Sequence, residues 1–201
     1  MADKTSLKET IDYRLFINDE QINQLQNLRK DKRWNEFINY DFNIEIWYNF
    51  WTTIYKGNKE DVIMDFGCGS LYSKLVGNKC GFTAITGLDI DNEEVRDSFG
   101  RYHDILNVKS DYWDGEQMNY VNDFFDSIVA KASLSKCVDS SWGNVINELV
   151  RVSKPEAKWY ISPKYMIDRL PEQFKSILDS KQIKIIGWDW DRSDSRNKSI
   201  N

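Results

Sequence analysis

The 201-residue chain has a single histidine, His103, and only three cysteines, Cys68, Cys80 and Cys137. One histidine leaves no conventional Cys/His metal cluster and no set of partners for a histidine-based triad. An odd number of cysteines without close pairing offers neither a disulfide framework nor a zinc site. No apolar run approaches the roughly 20 residues that span a bilayer. The opening residues, MADKTSLKETIDYR, are polar and acidic where a signal peptide needs an apolar stretch. A cytoplasmic protein without a membrane partner is the expectation. Basic residues are also in deficit, with 27 Lys and Arg against 32 Asp and Glu and a formal net charge of −5. Duplex nucleic acid, which wants a basic face, is therefore disfavoured; a folded RNA gripped by a local patch is less so. There is no internal repeat and no low-complexity tract.

What remains, 41% hydrophobic and 29% charged residues, is the composition of a globular protein, long enough for one domain with a full core. Eight tryptophans supply core packing or the walls of a pocket. From Ser6 to Tyr55 the chain reads as helical, and Ile44, Trp47, Trp51, Ile54 and Tyr55 recur at helical spacing. Asp61–Phe66 is a short apolar run closed by Gly67, the pattern of a buried strand. Strand and helix then alternate. Helices are expected from Leu71 and over Glu93–Phe99, Trp142–Val152 (stopped by Lys154-Pro155) and Pro171–Ser180. Strands are expected over Phe82–Leu88, Leu106–Ser110, Phe125–Ala130, Lys158–Ser162 and Ile183–Trp190. This succession predicts an α/β fold, a Rossmann-like three-layer sandwich with a mostly parallel sheet and helices on both faces. The expected division is an N-terminal helical extension or cap over residues 1–58, the α/β domain over 59–192, and a polar tail over 193–201.

Asp65-Phe66-Gly67-Cys68-Gly69 follows the first expected strand directly and precedes a helix. Glycines there let the backbone turn sharply and approach a ligand with no Cβ in the way. Roughly 20 residues on, at the tip of the second strand, stands Asp89, placed to take both ribose hydroxyls of an adenosine. The turn lacks the third glycine of a pyrophosphate-binding loop. An acid opening the loop, Asp65, sits badly beside a pyrophosphate and suits a cationic ligand. A sulfonium cofactor is preferred over a dinucleotide. Cys68 needs only to be small in this turn, and no redox role follows.

These segments, in this order, resemble the class I S-adenosylmethionine-dependent methyltransferases. DFGCGS is similar to the family's first motif and GLDI to its second-strand acid. FFDSIVAKASL resembles its fourth strand and exit loop. INELVRVSKPEAKWYIS resembles its Glu-Leu-x-Arg-Val-Leu-Lys-Pro-Gly-Gly segment and the strand that follows. The likeness implies S-adenosyl-L-methionine as cofactor. It puts Asp65, Gly67, Cys68 and Gly69 at the methionine end and Asp89 at the ribose, with Ile90 and Ala130 also in the cofactor site. Asp111, after the expected third strand, matches the acid that meets the adenine amine; Asp104 is a rival. Tyr112 and Trp113 would stack on the adenine or close on the sulfonium, with packing on the sheet edge as the alternative. Leu71 departs from the family's third glycine, and Glu156-Ala157 from its Gly-Gly, so the turn into the fifth strand must differ. The family's sheet ends in an antiparallel hairpin, whereas one strand is legible after the last helix here. A shortened C-terminal edge is expected, or Ser199-Ile200 is a remnant of the final strand.

In this family the cofactor carries the hard chemistry and the protein supplies alignment. Proximity and orientation can be worth about 7–11 kcal/mol of barrier, so no dedicated base is required. Acceptor-side candidates lie just past the fourth strand: Lys131, Ser133 and Lys136. AKASLSKC partly resembles the Asp-Lys-Gly-Thr-Leu-Asp loop of a branch that includes protein-lysine methyltransferases. Lys131 and Leu134 match and the aspartates do not, so a solvated loop lysine is the alternative. The Asn/Asp-Pro-Pro-Tyr/Phe motif of enzymes methylating base amines is absent, which disfavours a DNA or adenine-N6 substrate. His103 is a candidate general base or a packing histidine. The N-terminal aromatic stripe is a candidate lid or plain core. Methyl transfer to a small-molecule or protein acceptor is the expected function. The alternatives are a binding or regulatory protein that keeps the fold without transfer, and after it an RNA methyltransferase.

Overall fold

A computed structural model describes residues 11–28, 40–134, 142–170 and 172–189. Its strands are β1 Ile63–Phe66, β2 Ile85–Ile90, β3 Ser110–Trp113, β4 Phe125–Lys131, β5 Ser153–Ser162 and β6 Lys184–Gly187. They form one sheet in the order β3-β2-β1-β4-β5-β6, and every neighbouring pair is parallel. The α/β architecture is as expected, and the sheet among the described residues is wholly rather than mostly parallel. The α-helices are α1 Asp19–Leu28, α2 Tyr40–Asn49, α3 Tyr72–Lys79, α4 Glu93–Leu106, α5 Trp142–Val152 and α6 Glu172–Ser180.

Alternation along the strands sorts side chains into two cores. Ile63, Ile85, Val129 and Tyr160 pack with Trp47 of α2, Val76 of α3 and Tyr102 of α4. Met64, Leu88, Ile128 and Trp159 pack on the other face, against Ile146 and Leu149 of α5 and Phe174 of α6. A sheet buried on both faces explains why strands such as Phe125–Ala130 read as continuous apolar runs rather than alternating ones.

Several boundaries differ from the sequence expectation. Within the helical stretch read over Ser6–Tyr55, the described residues form a 3-10 turn at Tyr13–Leu15, α1, α2 and a π-helical turn at Phe50–Ile54 that continues α2. The indole of Trp51, in that turn, donates to the Ser73 carbonyl at 2.9 Å and ties the segment to α3. Helix α4 does not stop at Phe99. Tyr102 and Leu106 extend its core-facing stripe, and Asn107 then ends it in the left-handed conformation (φ 52°). Leu106 is thus helical, and the third strand begins only at Ser110.

Strand β5 starts directly after α5 and includes Lys154-Pro155, expected only as a helix stop. Glu156, at a family glycine position, takes φ 64° and keeps the left-handed backbone that glycine would adopt. Strand β6 is shorter than the expected Ile183–Trp190. The 193–201 tail with Ser199-Ile200, together with Lys136 and Cys137, lies outside the described residues. Among the described residues no helix is long and apolar enough to cross a membrane.

Candidate functional site

The strand order reverses between β1 and β4, and parallel sheets bind ligands at the strand tips beside such a reversal. The turn leaving β1 holds Gly67 at φ 67° and Gly69 at φ 50°, in the left-handed region that favours glycine. A Cβ on Gly67 would fall 2.1 Å from the Ser133 Cβ, so the loop after β4 lies directly on the turn. Leu71 also has a left-handed backbone, at φ 60°, and is fully buried. Its side chain fills the space over Gly87 of β2, where a Cβ would come 2.2 Å from Leu71 Cδ2. The geometry of the missing third glycine is therefore kept, and Gly87 provides room for the larger residue. Cys68 tucks in beside Leu71, and burial pushes its thiol up and keeps it protonated.

Two carboxylates flank this turn. Asp65 is buried, and its Oδ2 has no hydrogen-bond partner among the described residues. Burial pushes its carboxyl up to about 7; the Asp89 carboxylate adds to this, while the Ser73 hydroxyl and the Lys131 ammonium oppose it. Asp89, at the tip of β2, accepts the Gly69 N–H on Oδ2 and its neighbour's Ile90 N–H on Oδ1, both at 2.8 Å. Burial raises its carboxyl as well, against those two hydrogen bonds. His103 of α4 sits behind the turn. Its Nε2 bonds the Gly69 carbonyl at 2.7 Å, and a carbonyl only accepts, so the proton is on Nε2. Nδ1 then accepts from the Ser110 hydroxyl at 3.3 Å. Burial lowers the His103 pKa and favours this neutral form. Nε2 thus holds the turn, while Nδ1 ties the ring to the start of β3.

The later start of β3 changes which acid ends that strand. Asp111 is its second residue, and its Oδ2 accepts the Tyr120 hydroxyl at 2.5 Å. The acid just past the strand tip is Asp114, which a strand expected to end at Ser110 leaves out. A correct end to α4 is the signal that would have found it. Asp111 and Asp114 share a cleft of about 530 Å³ with Tyr112, Trp113 and Tyr120. Arg96 of α4 forks onto Asp91 at 2.5 and 2.8 Å and stands 4.8 Å over the Tyr112 ring. Ile90 remains exposed at the tip of β2. Asp104 instead lines a groove beside Gln24 and Leu28 of α1.

Of the residues expected to face an acceptor, Lys131 ends β4 with its ammonium 5.9 Å from the centre of the Trp47 ring. Ser133 rests against Gly67, and Ala130 turns its methyl into the α5-side core. Among the described residues no cluster of three or more His, Cys, Asp and Glu is placed to hold a metal ion.

Residues 64–161 match the model of a family described as a methyltransferase domain, from the core of β1 to the end of β5. These residues belong to the methyltransferase domain family. The methyltransferase domain thus spans the glycine turn, both flanking acids, the cleft and the strand-end loops. Solved structures resemble it at low identity. The YcgJ protein of Bacillus subtilis is 13% identical with a TM-score of 0.45, over 70% of this chain and 68% of that one. A Methanococcus maripaludis protein assigned as an S-adenosyl-L-methionine-dependent methyltransferase is 13% identical with a TM-score of 0.48, over 80% and 71%. An S-adenosylmethionine-dependent methyltransferase from Mesorhizobium loti is 14% identical with a TM-score of 0.44, over 57% and 52%. The chain spans between about half and seven tenths of the length of these proteins. No curated protein matches it significantly.

The family implies S-adenosylmethionine as cofactor, and the residues present fit it. Asp65 presents a buried, unpaired carboxylate oxygen, which suits a cationic group and repels a phosphate. The backbone of the turn leaves no Cβ at Gly67 and Gly69 to block approach.

Proposed function

We propose that the chain transfers a methyl group from S-adenosylmethionine to a small-molecule or protein acceptor. The observation that carries this reading is the Asp65 carboxylate, buried under a left-handed glycine turn with one oxygen unpaired. Asp65, Gly67, Cys68 and Gly69 would hold the methionine end, and Asp89, whose oxygens keep lone pairs beyond their two N–H bonds, the ribose hydroxyls. Ile90 offers an apolar face to the base, and Asp114 or Asp111 an acceptor for its amine. Bound there, the cofactor would supply a methyl group on a positively charged sulfur.

The protein's own work is alignment. His103 fixes the Gly69 carbonyl and so the turn; Ser133 and Lys131 border the side from which an acceptor would approach. No residue need remove a proton for the displacement to run, and orientation accounts for the larger share of the barrier lowering.

Calorimetric titration with S-adenosylmethionine, and separately with NAD, tests the reading. Binding of the sulfonium compound alone is expected, weakened about tenfold or more by Asp89→Ala through lost charge-assisted hydrogen bonds. No binding, or binding indifferent to Asp89→Ala, overturns it. Methyl-label transfer into a lysate treated separately with protease and nuclease then assigns the acceptor class. Binding without label transfer to any fraction favours the non-catalytic reading.

A further inference from the structure

Residues 114–122, which wall the cleft beyond β3, form neither helix nor strand, so their backbone groups need partners from elsewhere. Four of their carbonyls and one N–H find those partners on one stripe of α5. Asn144, Glu148 and Arg151 stand at i, i+4 and i+7 and share a helix face. Asn144 Nδ2 donates to the carbonyls of Gly115 and Glu116. Glu148 Oε2 accepts the Met118 N–H at 2.7 Å. Arg151 donates to the carbonyls of Met118 and Tyr120 at 2.9 and 2.7 Å, and to Asn122 Oδ1 at 3.1 Å.

The same guanidinium forks onto Glu148 at 2.8 and 2.7 Å, which holds that carboxyl below its usual range. The held segment begins with Asp114, whose Oδ1 accepts the Glu116 N–H at 2.9 Å. Further along it carries Tyr120, whose hydroxyl engages Asp111. Asp111 and Asp114 are thereby placed through bonds that end on α5, whereas Asp91, the third acid of the cleft, is held by Arg96 of α4.

We infer that Asn144, Glu148 and Arg151 are positioning residues that set which base the cleft accepts. This rests on the proposal that the cleft takes the adenine end of the cofactor. Carboxylates held at fixed points favour a base edge that donates from an amine over one that presents a carbonyl, and they lose that preference when their support loosens.

The experiment titrates S-adenosylhomocysteine, and its counterpart with hypoxanthine in place of adenine, into the full chain and its variants. The unaltered chain is expected to prefer the adenine compound by about tenfold or more. Arg151→Met is expected to bring the ratio close to one. Glu148→Gln still accepts the Met118 N–H and is expected to keep most of it. A merely structural role lowers both affinities together and leaves the ratio unchanged, which overturns the inference. If Arg151→Met does not fold, Asn144→Ala, at an exposed position, takes its place, and an unchanged ratio there is equally decisive. Failure of the underlying reading is distinguishable: the unaltered chain then binds neither compound, and the inference falls with it.

Discussion

At the scale of single residues, a carboxyl group sealed under the glycine turn couples folding to pH. The folded protein holds Asp65 near 7 against an ordinary 3.8, so the folded state binds its proton more tightly than the unfolded state does. The stability from that proton is full below about 3.8, declines as pH rises toward 7, and is gone above it. Asp65→Asn, which cannot ionise, is therefore expected to be more stable than the parent at pH 8. The difference, on the order of 2–4 kcal/mol, should shrink toward zero near pH 4 in denaturant titrations. A cationic ligand should reverse the preference. Affinity for S-adenosylmethionine should rise from pH 6 to pH 8 in the parent and stay flat in Asp65→Asn. His103 works in the opposite sense. Its depressed pKa favours the neutral ring, so its contribution is lost as pH falls, and a parent-minus-variant comparison separates the two groups.

At the scale of elements, two non-glycine residues occupy left-handed backbone where the family has glycine, with different consequences. Glu156 is exposed at the bend in β5, and its side chain offers nothing to offset the strain. Glu156→Gly should stabilise by roughly 0.5–1 kcal/mol, a gain of about 2–4 °C in melting temperature per kcal/mol for a chain of this size. Leu71→Gly relieves the same strain but empties the buried space over Gly87, and is expected to cost about 2–4 kcal/mol net. Scanning calorimetry of the two variants checks both signs.

The same elements explain what was legible beforehand. Helix α5 has the bounds expected from its amphipathic pattern, and the turn with its acids is a local signal written in consecutive residues. Strand β3 was not legible, because Ser-Asp-Tyr-Trp is a short edge strand without an apolar run, while Leu106 just before it belongs to a helix stripe. Of the Asn144–Glu148–Arg151 stripe, only Glu148 and Arg151 were visible, as parts of a family motif, and Asn144 lies before it. The stripe's purpose depends on a loop some 30 positions away that the helix meets only in the folded chain.

For the whole molecule, the N-terminal helices share a core with the sheet. Leu25 of α1, Ile44 and Trp47 of α2, and Phe50 and Trp51 are continuous with Ile63, Tyr160 and Trp188. Residues 1–58 and the methyltransferase domain are accordingly expected to unfold in one transition. Trp51→Ala, which removes a buried ring and its bond to the Ser73 carbonyl, should destabilise by about 3–5 kcal/mol without splitting that transition. Two separated transitions in a calorimetric scan would instead make the helices an independent cap.

The strand order has one more consequence, for how the chain is made. Strand β1 is central, yet β2 and β3 are synthesised next and both lie on one side of it. Its other edge, with unpaired N–H and C=O groups and the apolar Ile63 and Met64, waits for β4, some 60 residues later. A ribosome adding about 5–20 residues per second leaves that edge open for seconds. In that interval the half-sheet is a template for pairing with a neighbouring nascent chain. A truncation ending between β3 and β4 should therefore aggregate where the full chain does not, and the yield of refolded protein should fall with concentration before it falls with temperature.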